Sequence, residues 1–138
     1  MKTNFASFLV VLALAATFAI ARAEEKTNAA PFHVTHADAK EAAKLVTRGD
    51  VTVLDIRTPK EFADGHITGA TNIDFQASDF ATQVGKLDRE KPYLLHCGSG
   101  RRSTNCLPQL EKLGFKHIIH LDGGLKAWQA AGNPVEKR

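Results

Sequence analysis

Leu94-Leu95-His96-Cys97-Gly98-Ser99-Gly100-Arg101-Arg102-Ser103 is the stretch whose reading decides the rest of this chain. The apolar run that begins near Tyr93 reads as a buried strand, and at His96 it gives way to a cysteine, two glycines, serine and two arginines. From Ser103 to Leu113 the spacing is helical. Strand, Gly-rich loop and helix in that order let successive backbone N–H groups curl around one point, at a helix N-terminus whose partial positive charge favours an anion. Cys97 is the first residue of the loop. Beside Arg101, Arg102 and those amides its thiol is expected to be more acidic than a free thiol, giving a nucleophilic thiolate at neutral pH. A lone cysteine on a strand-to-helix turn reads instead as a small buried residue. The two loop glycines and two flanking cations turn the reading toward chemistry.

Working outward, strands alternate with helices. Phe32 to Val34 reads as an edge strand, with Thr35 as N-cap and Asp38 three residues on before the helical Ala39-Lys40-Glu41-Ala42-Ala43-Lys44-Leu45-Val46. Arg48-Gly49-Asp50 stops that helix. Val51 to Ile56 is a compact apolar strand ending in Asp55 and Arg57, polar residues placed where a parallel strand emerges from its sheet, the edge at which open α/β sheets bind ligands. Thr58-Pro59 opens a short helix through Phe62, and the spacing of Arg57 and Glu61 suits a pair across one turn. Thr71 to Asp74 is a short strand, Ser78 to Lys86 a helix, Lys116 to Leu121 the last strand, and Leu125 to Ala131 the closing helix after Asp122-Gly123-Gly124. Pro108 falls within the helix that follows the cysteine loop, which predicts a kink or a late start. The pattern implies an α/β domain with a mainly parallel sheet and helices on both faces.

Four blocks of this sequence resemble the rhodanese (sulfurtransferase) family. The loop matches its C-x-x-G-x-R pattern through Cys97, Gly100 and Arg102. Leu54 to Phe62 (L-D-I-R-T-P-K-E-F) with Gly65 to Ile73 (G-H-I-T-G-A-T-N-I) is similar to its first signature, and His120 to Trp128 (H-L-D-G-G-L-K-A-W) to its last. The resemblance implies a rhodanese-like fold of about five strands over residues 32–138, with the loop at the carboxyl edge. It also implies double displacement: Cys97 takes the outer sulfur of a donor such as thiosulfate, becomes a persulfide, and yields the sulfur to cyanide or a thiol. Gly98, Ser99, Gly100, Arg101, Arg102 and Ser103 would then bind the substrate, their amides cradling the persulfide and Arg101 attracting the anion. Asp55, Arg57 and Glu61 would support the loop from behind. Partners would be a small-molecule sulfur donor and acceptor, with a thiol protein as a further acceptor.

The chain of 138 residues has room for one domain. Its first segment stands apart: Lys2, an apolar run from Phe8 to Ile20, and Ala21-Arg22-Ala23 read as a cleaved signal peptide over residues 1–23, which predicts a periplasmic or secreted protein joined through a polar linker at 24–31. Removing residues 1–23 takes away Lys2, Arg22 and no acid, so the formal charge falls from +3 to +1. With no basic run beyond Arg101-Arg102, a nucleic-acid partner is not expected, nor is a membrane partner once the signal is removed.

Cys97 and Cys106 are the two cysteines. One at a loop mouth and one inside the following helix, they are expected to be too far apart for a disulfide. No C-x-x-C or His/Cys cluster with metal-ligand spacing is present, so no metal is expected, and the double displacement that the resemblance implies needs no organic cofactor. His96 should point away from Cys97 by strand alternation, and His66, in a Gly-punctuated loop, reads as structural, as does Trp128. Two alternatives stay open. One is a Cys-dependent phosphatase or arsenate reductase, whose loops place Arg six positions after Cys, where this chain has Ser103. The other is a noncatalytic persulfide-carrier or binding module.

Overall fold

A computed structural model describes residues 30–138. The signal-peptide reading and most of the linker lie outside those residues. Ten elements follow one another: β1 (His33–Ala37), α1 (Ala39–Arg48), β2 (Thr52–Asp55), α2 (Pro59–Asp64), β3 (Thr71–Asn72), α3 (Phe80–Val84), β4 (Pro92–His96), α4 (Arg101–Lys112), β5 (His117–Leu121) and α5 (Gly124–Ala130). The strands form one five-stranded sheet in the order β1-β5-β4-β2-β3, every pairing parallel. β4, the strand that delivers Cys97, is therefore central, flanked by β2 and β5. That placement fixes the cysteine loop between two neighbours.

Both sheet faces are covered, as near-continuous apolar strands require. Val53 and Leu94 belong to a cluster with Ala39 and Ala42 of α1 and Leu125 and Trp128 of α5. Leu54 and Leu95, one residue on, belong to the opposite cluster with Phe80 and Val84 of α3 and Cys106 and Leu110 of α4. Alternation along β2 and β4 thus sends successive side chains to opposite layers. Among the described residues no helix is long and apolar enough to cross a membrane.

Three local readings are corrected. Thr35 lies inside β1, which runs on to Ala37 because it pairs with β5 as far as Leu121. Asp38 is the N-cap of α1 instead, its carboxylate accepting the Glu41 N–H at 2.8 Å. Helix α4 does not start late: it begins at Arg101, directly after Gly100, and continues past Pro108 to Lys112. Proline removes one N–H from that helix, but the buried side chains of Ser103, Cys106 and Leu110 lie along one face of it, and their packing outweighs the single lost bond. Finally, the side chains of Arg57 and Glu61 do not pair. Arg57 turns to Asp55, and Glu61 to Arg102.

Candidate active site

Cys97 leaves the carboxyl end of β4 and is 1% exposed. Its sulfur accepts the Gly100 N–H at 3.1 Å, and Ser103 Oγ stands 3.5 Å away. Gly100 has φ +99°, a left-handed conformation that glycine adopts without a Cβ penalty, and its turn brings that amide back over Sγ. Burial pushes the Cys97 thiol up. The Ser103 hydroxyl and the N–H groups of Ser103, Ser99 and Gly100 together outweigh burial, so the thiol is more acidic than a free one. The sequence pointed to Arg101, Arg102 and the loop amides together; the amides, joined by the Ser103 hydroxyl, are the main groups that lower it.

The loop is clamped from the α5 side. Leu125 N–H donates to the Cys97 carbonyl at 2.9 Å and Lys126 N–H to the Gly98 carbonyl at 3.0 Å. These are first-turn amides of α5, without partners inside their own helix. His96 Nδ1 also lies 3.0 Å from the Cys97 carbonyl. Its Nε2 is buried without a hydrogen-bond partner, and Asp55 Oδ2 lies 3.5 Å from it. Burial holds the His96 pKa down, against the pull of Asp55, which favours the neutral imidazole.

On the other flank Arg102 reaches across to Glu61 in a two-pronged pair, Nη1 to Oε2 at 2.8 Å and Nη2 to Oε1 at 2.6 Å. Glu61 is preset by the capping box of α2, its carboxylate accepting the Thr58 N–H at 3.0 Å. The Arg102 hydrogen bond holds the Glu61 carboxyl at about 2. Asp55 and Arg57 form a separate, fully sequestered pair with Nη2 to Oδ2 at 2.6 Å. Arg57 also donates to the Glu61 and Gly65 carbonyls. The two acids and Arg57 thus stand behind the loop, and reach it through His96 and Arg102. Arg101 is exposed at the start of α4.

His66 stacks on Phe62 with ring centroids 3.8 Å apart, and its two ring nitrogens are engaged by the Phe62 carbonyl at 2.8 Å and Glu136 Oε1 at 3.2 Å. Trp128 is buried and donates to the Pro134 carbonyl. Cys97 and Cys106 are free and buried, and burial pushes the Cys106 thiol up to about 12, with the Cys97 charge adding to it. Sequence reasoning passed over three residues that the fold gathers beside the loop. Ser103 Oγ is 2.9 Å from His120 Nε2, His120 Nδ1 is 3.0 Å from Asp122 Oδ1, and His36 Nδ1 is 2.7 Å from the same oxygen. The signal available was the paired placement of His36 and His120 near the carboxyl ends of two strands.

A family model described as the rhodanese-like domain matches residues 38–131. A thiosulfate sulfurtransferase GlpE of Shewanella oneidensis is 31% identical over 96 residues, covering 70% of this chain and 93% of that protein. An uncharacterized protein of Synechocystis sp. is 38% identical over 98 residues, which are 71% of this chain and 54% of the relative, so this chain spans about half of its length. Among solved structures, a rhodanese-related protein from Thermoplasma volcanium superposes with a TM-score of 0.67 at 30% identity, covering 75% of this chain and 99% of the other. The match takes in β2, the loop that presents Cys97 and the glycine turn that clamps it from α5, and on that ground this chain belongs to the rhodanese-like domain family.

Proposed function

We propose that the protein is a sulfurtransferase that moves a sulfane sulfur from an anionic donor such as thiosulfate to a thiophilic acceptor through a persulfide on Cys97. The observation that carries this reading is the enclosure of one sulfur atom. Sγ sits under the Gly100 N–H at 3.1 Å with its acidity raised by the loop, in a residue that is 1% exposed. The Cys97 thiolate attacks the outer sulfur of thiosulfate; a new S–S bond forms, the old one breaks, and its electron pair leaves on sulfite. The persulfide anion is then held by the same amides. Cyanide attacks the outer sulfur, and thiocyanate departs as Cys97 recovers its thiolate. Small sulfur compounds are the substrate class that goes with the family.

Cys-dependent phosphatase loops grip the phosphate oxygens with an arginine six positions after the cysteine. Arg102 already spends both prongs on Glu61, and the position six after the cysteine is Ser103. Steady-state turnover of thiosulfate and cyanide, run beside hydrolysis of an aryl phosphate, tests the reading. Thiocyanate should form and the ester should stay intact. The reverse outcome replaces the sulfurtransferase with a phosphatase, and stoichiometric persulfide without turnover would leave a carrier module.

We also propose that the protein is exported. Lys2, the apolar run from Phe8 to Ile20 and Ala21-Arg22-Ala23 support export with cleavage before Glu24. Intact mass of protein exported by a bacterial host should correspond to a chain starting at Glu24, and full-length protein in the membrane fraction would contradict it.

A further inference from the structure

We propose that His36, His120 and Asp122 form a binding site for a divalent transition-metal ion such as zinc, beside the cysteine loop and separate from it. His36 on β1 and His120 on β5 are direct partners in the parallel register, and Asp122 follows immediately where β5 ends. The Asp122 N–H donates to the Ala37 carbonyl at 2.9 Å, which fixes the turn against β1. Both imidazoles present Nδ1 to one carboxylate oxygen, at 2.7 and 3.0 Å, and the three donor atoms lie within 4.8 Å of one another. Among the described residues it is the group of this kind that the fold assembles.

The chemistry of the donors selects the ion. Two imidazole nitrogens and one carboxylate suit zinc, nickel or copper, whereas calcium and magnesium prefer oxygen alone. Metal ligands that are histidines commonly carry a hydrogen bond on their second ring nitrogen, which sets the tautomer and the ring angle. His120 has it: Nε2 is 2.9 Å from Ser103 Oγ, and the ring is 4% exposed. His36 and Asp122 are 61% and 55% exposed, giving an ion entry from solvent and leaving positions open for water or a small anion. An ion on His120 Nδ1 would put the ring proton on Nε2, facing Ser103. Ser103 in turn stands 3.5 Å from Cys97 Sγ, so the site adjoins the reactive sulfur without using it.

The test is calorimetric titration of chelator-stripped protein with Zn²⁺, on the wild type and on Cys97→Ser. One saturable equivalent is expected in both. His36→Ala and Asp122→Asn, checked for fold by circular dichroism, should each weaken it at least about tenfold, and His117→Ala, which removes the exposed histidine at the other end of β5, should leave it unchanged. In the wild type the ring resonances of His36 and His120 should respond first, and the Co²⁺-substituted protein should lack thiolate-to-metal charge transfer, readouts that do not depend on any variant folding. Absence of saturable binding, its loss in Cys97→Ser, or its loss in His117→Ala would overturn the site.

Discussion

Gly124 lies so close beneath Cys97 that a β-carbon on it would stand 2.6 Å from the Cys97 carbonyl oxygen. It would also be 2.8 Å from the Gly98 carbonyl carbon, and Gly124 has φ +60°. Neither loop atom belongs to a flexible side chain that could move aside. Gly124→Ala should therefore combine backbone strain with displacement of the loop, costing about 2–4 kcal/mol and most of the sulfur transfer. Gly49→Ala is the control, with φ +73° but open space around it, and should cost only about 1–2 kcal/mol with the chemistry intact. Urea unfolding and turnover, measured on both, separate strain from loop displacement.

Asp55 and Arg57 side chains are 0% and 6% exposed. Arg57→Ala leaves a buried carboxylate without its partner and should cost about 3–5 kcal/mol. Removing both charges, in Asp55→Asn with Arg57→Met, should cost less than Arg57→Ala alone. A double-variant stability larger than that of the Arg57 single variant supports the pair as the cause.

Glu61 gives a pH-dependent contribution. Its folded carboxyl, held at about 2 by Arg102, lies below that of an unfolded glutamate, so the stability it confers is present above the unfolded value near 4.5 and is lost as pH falls toward 2. At 39% and 25% side-chain exposure the pair is screened by solvent, and about 1 kcal/mol is the expected scale. Glu61→Gln should be less stable than the wild type at pH 7, with the gap closing between pH 4.5 and 2. A gap that stays constant over that window would contradict the ion pair.

Ser103→Ala removes a hydroxyl that helps hold the Cys97 thiol acidic. The thiol should titrate higher, because one hydrogen bond to its charged form is lost. The acid limb of the pH–rate profile, and the ultraviolet absorbance of the thiolate, should shift upward together. An unchanged profile would remove Ser103 from the set of groups that tune the sulfur.

Sequence alone carries the sheet, the loop and the nucleophile, because each is written in contiguous residues: the apolar run before His96, the glycines after Cys97, the Pro59 that opens α2. What it leaves out depends on contacts made across the fold. Glu61 and Arg102 are 41 positions apart, and nothing in the local spacing favours that pair over Arg57 with Glu61. Asp55 wins Arg57 because both lie in the same buried turn, where an unpaired carboxylate would be costly. Thr35 gives way to Asp38 as a cap because strand pairing with β5 holds residues 33–37 extended. His36 and Asp122 are 86 positions apart and meet only through the β1–β5 register, so a search for linear ligand spacing passes over them.

Cys106 separates the two thiols. It is fully buried with its thiol pushed up to about 12, so it should remain an inert core residue while Cys97 carries the chemistry. Cys106→Ala should keep most of the turnover and lose stability of the order expected for a small buried side chain, about 1 kcal/mol. Equal loss of turnover in Cys106→Ala and Cys97→Ser, with both proteins folded, would make Cys106 a second reacting thiol.

Intact-mass spectrometry of the protein after incubation with thiosulfate, without acceptor, tests the central claim most directly. The protein should gain one sulfur atom, located on Cys97 by peptide mapping, absent in Cys97→Ser and discharged by cyanide as thiocyanate. An unmodified mass after thiosulfate, together with hydrolysis of an aryl phosphate at a rate that Cys97→Ser abolishes, would contradict it.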